Sequence, residues 1–221
     1  NLESNIESTE VNVGSVISEN GSLIGGFAGF NYGNIRTSKA HTNKVNGKFY
    51  VSGFLGLSVG DKTLRFGEVE NNHIRNFNEI FGWSMVGGLA GAMGVYLEDE
   101  NSKVCEQIIK EVPIDFDIND YGGEAVFNDV QVGEVYGIHS VSGGVGALIN
   151  KGKINGLSVN IERIVTRAAP TRIESVTNKS TMLGNIIGGA VGYAYMSSVR
   201  NSYVSGEKNI SLNIFGEGAV G

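Results

Sequence analysis

Four stretches carry residue types whose spacing could do chemistry. DFDIND (115–120) sets Asp115, Asp117 and Asn119 at alternate positions, as the first three oxygen ligands of an EF-hand loop would stand. The loop's sixth and twelfth positions call for glycine and glutamate, and here they are Asp120 and Val126, so alternating carboxylates on the outer face of a strand are the simpler expectation. GLSVG (56–60) has the GxSxG form, with Asp115, Asp117 or Asp120 and then His139 following in the chain order of an α/β-hydrolase triad. A nucleophile elbow needs a strand, a sharp turn and then a helix, whereas Asp61-Lys62-Thr63 opens a polar run. GEGAVG (216–221) is formally GxGxxG, but it lacks the following helix and distal acid of a dinucleotide site. The three histidines, His41, His73 and His139, stand far apart without an HExxH motif, which argues against zinc. These residues predict no catalytic, cofactor-binding or metal site.

The bulk composition narrows the class further. A net charge of −6 with no basic run longer than two residues excludes a nucleic-acid surface. Hydrophobic residues make up 41% and charged residues 18%, too apolar for a disordered chain. The single cysteine, Cys105, rules out an internal disulfide. The uncharged stretch TMLGNIIGGAVGYAYMSSV (181–199) has GxxxG spacing at Gly184, Gly188 and Gly192. Its asparagine, serines and glycines make it too polar for a membrane span.

Glycine is the outlier, with 33 residues where an average protein has roughly 7%. Most of the excess sits in one tile: IGGFAG (24–29), VSGFLG (51–56), VGGLAG (86–91), VSGGVG (141–146), IGGAVG (187–192) and a truncated GEGAVG (216–221). The final glycines lie 27, 35, 55, 46 and 29 residues apart, so the short intervals fit one coil each and the long ones leave room for insertions. Between tiles the apolar residues alternate, as in VNV (11–13), IDFDI (114–118), LSVNI (157–161) and ISLNI (210–214). That is the period of a half-buried strand. Short strands and small-residue corners at a repeat near 27 residues predict stacked coils of strand. Glycine then serves close backbone approach at the bends.

GGFAGFNYGNIRTSKAHTNKVNG and IGGAVGYAYMSSVRNSYVSG resemble the GLUG repeats of bacterial secreted and surface proteins. The resemblance implies an all-β fold, a right-handed parallel β-helix or solenoid. It also implies placement in a large exported protein, either an adhesin-like virulence factor or the non-catalytic region of an IgA-specific metalloendopeptidase. Residues 1–221 are accordingly expected to be one β-helical module of a larger protein, secreted or at the bacterial cell surface. Such a module is expected to act in adhesion or as a spacer, with a host protein or glycan and the parent's flanking domains as partners. It is expected not to insert in a membrane. The alternatives are an accessory region of an IgA-cleaving peptidase and a polysaccharide-degrading β-helix enzyme.

Three segments break the repeat. Residues 61–83 mix charge with Phe66, Phe77, Phe81 and Trp83, which fits aromatics packed over the side of the β-helix ahead of a recognition patch, and residues 165–179 carry Arg167 and Arg172 around Pro170, as an exposed loop would. Within 95–125, EDENSKVCEQIIKEVP (98–113) places Val104, Ile108, Ile109 and Val112 on one helical face before Pro113, which predicts a helix. Residues 95–135 match nothing in the tile. Loop aromatics, Trp83, Phe81 and Tyr121, are the expected binding residues.

Overall fold

The computed structural model describes residues 5–60, 67–94, 122–149, 151–166, 185–206, 213–215 and 218–220. The first coil is β1 (Asn5–Glu7), β2 (Glu10–Ile17), β3 (Ser22–Gly25) and β4 (Ala28–Asn31). The second is β5 (Asn34–Arg36), β6 (Lys39–Asn46), β7 (Phe49–Ser52) and β8 (Leu55–Ser58). The third is β9 (Glu68–Glu70), β10 (His73–Phe81), β11 (Ser84–Gly87) and β12 (Ala90–Met93). The fourth is β13 (Glu124–Val126), β14 (Asp129–Gly137), β15 (His139–Ser142) and β16 (Val145–Ile149). The fifth is β17 (Lys153–Asn155), β18 (Ser158–Thr166), β19 (Asn185–Gly188) and β20 (Val191–Tyr195). A further, partial coil holds β21 (Ser198–Arg200), β22 (Tyr203–Ser205), β23 (Asn213–Phe215) and β24 (Gly218–Val220).

Each strand pairs in parallel with its equivalents one coil away, so four sheets run the length of the molecule. Sheet A stacks β1, β5, β9, β13, β17 and β21; sheet B stacks β2, β6, β10, β14, β18 and β22, with β23 also on β18. Sheet C stacks β3, β7, β11, β15, β19 and β24, and sheet D stacks β4, β8, β12, β16 and β20. The architecture is a parallel β-helix, all strand among the described residues. The expected helix at 98–113 lies outside the described residues, as do the DFDIND segment, Tyr121 and residues 167–179.

The alternation seen in the sequence builds the core. In sheet B the inward positions are Ile74 and Ile80, then Val130, Val132 and Val135, then Val159, Ile161 and Ile164, and all are buried. These β-branched side chains suit a pleated, packed surface. The tiles also stack in register: Ile24, Val51, Val86, Val141 and Ile187 stand directly above one another. Phe27 and Phe54 follow inside the core with ring centroids 4.7 Å apart.

The tile comes in two forms that are not interchangeable. Where its second residue is glycine, the turn is closed so tightly that a Cβ on Gly87 would lie 2.2 Å from Ala90 O. Where it is serine, the hydroxyl closes the turn instead: Ser52 Oγ donates to Leu55 O at 2.7 Å and accepts from Phe54 N at 3.0 Å. The sixth tile does not continue the stack. Gly218 pairs with Asn185 and Val220 with Ile187, so these residues occupy sheet C itself rather than the following turn.

Two expected irregular segments prove partly regular. Residues 68–81 form β9 and β10, and 124–137 form β13 and β14, although neither carries a glycine tile there. An A or B strand needs only inward apolar residues such as Val69 and Ile74 and a corner that turns. That corner is always a residue with positive φ: Ser8, Thr37, Asn71, Phe127, Gly156 and Asn201. The next position holds a buried polar ladder. Asn72 Oδ1 accepts from Ser38 N at 2.8 Å, Asn72 Nδ2 donates to Ile35 O at 3.1 Å, and Asn128 Oδ1 accepts from Asn72 N at 3.1 Å. Asn72 Nδ2 also donates to Asn128 Oδ1 at 3.0 Å, so one side chain ties its own coil to both neighbours.

A second left-handed column runs through the middle of sheet C at Leu23, Tyr50, Met85 and Ser140. Reversing the pleat there turns Leu23, Tyr50 and Met85 away from the main core into a smaller cluster with Leu57, Val59, Ala92, Ala147 and Ile149.

Candidate functional site

The candidate site lies on the outer face of sheet B, built by an irregularity in β10. Between Asn76 and Glu79 the register slips, so Phe77 and Asn78 stand opposite single residues of β6 and β14. This β-bulge turns Phe77 into solvent, where it is 66% exposed. Two features hold the bulge in place. Below it, buried Asn76 donates to Thr42 Oγ1 at 3.0 Å and reaches Glu79 O at 3.5 Å. Beside it, the β14 residue is Gly133, where a Cβ would stand 2.6 Å from Asn78 O.

Phe77, Asn78 and Glu79 meet Lys44 of β6, Glu134 of β14 and Glu162 of β18 around a groove of about 430 Å³. Lys44 pairs with Glu79, and Arg163 Nη1 lies 3.7 Å from Glu134 Oε1. Tyr136 donates its hydroxyl to Glu134, which holds the phenol pKa above its usual value, with burial adding to the shift. At one side His41 approaches the Phe77 ring, centroids 6.3 Å apart. Along the strand Phe81 is half-buried, and past its end Trp83 is 45% exposed with Lys48 Nζ 4.8 Å from its ring centroid.

Of the expected aromatics, the structure therefore sets Phe81 on a strand and Trp83 at the corner between sheets B and C, not on a loop. Lys44, Glu134 and Glu162 carry no signal in the sequence, since each is a single charge on a separate coil. Only the register between coils unites them.

The remaining candidates are placed as follows. Ser58 of GLSVG is fully buried in β8 and accepts from Asn31 Nδ2 at 3.1 Å, an arrangement without the exposure a nucleophile needs. Gly56 of the same motif serves the tile, because a Cβ there would lie 2.5 Å from Gly29 O. His139 stands at the start of β15 in sheet C, and His73 in sheet B lies with Nδ1 3.6 Å from Asp129 Oδ2. Among the described residues, no group of three or more His, Cys, Asp or Glu is placed to hold a metal ion, and no helix is long and apolar enough to cross a membrane.

A scan against protein-family models finds none that matches the chain, and searches of curated proteins and of solved structures find no significant match.

Proposed function

We propose that this chain is a non-catalytic β-helical module of a bacterial secreted or surface protein, acting in adhesion to host protein or glycan. The resemblance of its tiles to GLUG repeats supports the setting. The observation that carries the adhesive role is the exposure of Phe77 at 66%, lining an open groove on sheet B, and of Trp83 at 45% past the end of the same strand. Large aromatic side chains left in water beside polar groups are the composition of binding surfaces. Four stacked sheets around a buried apolar core fix the spacing of those side chains in advance, so little ordering cost remains on association.

The test is retention of the purified chain on immobilised host extracellular proteins and glycans. Retention by the native chain and its loss in Phe77→Ala/Trp83→Ala are expected. Equal retention of the double variant, or no retention on any surface, overturns the proposal.

A further inference from the structure

We infer that the groove and aromatic line on sheet B take a neutral saccharide chain lying along β10, an inference that rests on the adhesive role proposed above. Three observations select this ligand class.

The first is charge balance in an acidic protein. On β6, β10, β14 and β18 Lys44 pairs with Glu79, Arg75 Nη2 lies 2.9 Å from Asp129 Oδ2, and Arg163 faces Glu134. The charges left on these strands, Lys39 and Glu162, are of opposite sign. These four strands are thus formally neutral with their histidines uncharged, and Lys48 over the Trp83 ring adds a single positive charge, while the whole chain carries −6. A polyanion meets repulsion from the chain as a whole and no compensating basic patch here. A polycation finds every carboxylate on these strands except Glu162 already facing a cation.

The second is the form of the site. The groove is open to solvent and holds about 430 Å³, within the roughly 300–1,000 Å³ of small-ligand sites. Its lining sets one apolar ring, Phe77, beside five hydrogen-bonding residues, Asn78, Glu79, Glu134, Glu162 and Lys44. A sugar ring has the same division. Its C–H face packs on an aromatic ring, and its edge hydroxyls donate to carboxylates and accept from an ammonium or amide.

The third is spacing. At about 3.3 Å per residue, and with Phe77 and Asn78 counting as one step at the bulge, Phe81 stands about 10 Å along the strand from Phe77, and Trp83 follows past the strand's end at the corner with sheet C. That line is longer than a single sugar ring, so an oligosaccharide gains over a monosaccharide.

Trp83 is the only tryptophan, so its fluorescence reports directly on the far end of this line. The 221-residue chain is titrated with neutral linear glucan, galactan and mannan oligosaccharides, and with an acidic oligosaccharide and a lysine-rich peptide as charged probes. At least one neutral chain is expected to shift Trp83 emission and protect it from acrylamide, with affinity the same at low and high salt. Phe77→Ala, which alters an exposed side chain and leaves the fluorophore intact, is expected to weaken binding about tenfold, and monosaccharides to bind at least tenfold more weakly than the chain. The inference is overturned if no neutral saccharide perturbs Trp83, if only a charged probe binds and salt abolishes it, or if Phe77→Ala binds as tightly as the native chain. Adhesion through Phe77 and Trp83 without saccharide binding would remove this inference and leave the adhesive role standing. Saccharide binding without retention on host surfaces would do the reverse.

Discussion

Replacing Asn128 by alanine tests how the coils are held together at the corner between sheets A and B. Asn128 is 1% exposed, donates to Val69 O at 2.7 Å, and accepts from both Asn72 N and Asn72 Nδ2, at 3.1 and 3.0 Å. Asn72 Nδ2 keeps Ile35 O as an acceptor, but the Asn72 backbone N–H loses its own at a fully buried residue. One orphaned backbone donor costs about 1–3 kcal/mol, and each of the other two bonds about 1 kcal/mol, for a total of about 3–5 kcal/mol. For a chain of this size that lowers the Tm by about 6–20 °C. The control is Asn155→Ala, which removes a solvent-exposed bond from Asn201 Nδ2 of 2.9 Å and is expected to cost under about 0.5 kcal/mol. Asn128→Leu separates packing from hydrogen bonding, because the next coil accommodates Leu157 in the same column. Leucine fills the space and leaves the Asn72 amide orphaned, so it is expected not to rescue. The measurement is urea and thermal denaturation followed by circular dichroism. A loss below about 1 kcal/mol for Asn128→Ala, or full rescue by leucine, refutes the account of the ladder.

Thr37 is exposed with φ 53°, and Gly156 and Asn71 fill the equivalent corners, so Thr37→Gly is expected to raise stability by about 1 kcal/mol in the same denaturation assay. Gly133→Ala drives a Cβ into Asn78 O and is expected to displace the bulge, seen as changed exchange of the Phe77 and Asn78 amides and weaker binding at the groove. The Tyr136 phenol is raised by its hydrogen bond to Glu134 and by burial, so its contribution is complete below the unfolded pKa near 10 and is lost as pH rises through the folded pKa. The stability advantage of the native chain over Tyr136→Phe is therefore expected to hold at neutral pH and to vanish in alkali. Incubation with a broad polysaccharide panel is expected to release no new reducing ends, and release would overturn the non-catalytic assignment.

The solenoid was legible because its two strongest signals are local. Alternation in LSVNI and the recurring glycine tile each report a backbone state directly, and five tiles stack as expected. The left-handed column in sheet C was not legible, since Leu23, Tyr50 and Met85 are poor candidates for positive φ and adopt it only because the smaller cluster buries them. The bulge was hidden for another reason. One additional residue in HIRNFNEIF leaves the apolar alternation readable on both sides, so Phe77 looked like part of an irregular loop. The groove depends on Lys44, Glu79, Glu134 and Glu162 coming from four coils, and their separations in the chain become meaningful only after the register is known.

Two of the four bends in every complete coil have constant length. Two residues always join sheet A to sheet B, and two always join sheet C to sheet D. Length varies elsewhere, from residues 32–33 to residues 94–123 between sheets D and A, and from residue 138 alone to residues 167–184 between sheets B and C. The winding tolerates foreign sequence at the variable bends because the constant ones reset the phase on each lap. A peptide epitope or a small folded cargo spliced between Ile149 and Lys153 should leave the laps on either side undisturbed, whereas one extra residue at Asn71–Asn72 should throw every later strand out of step.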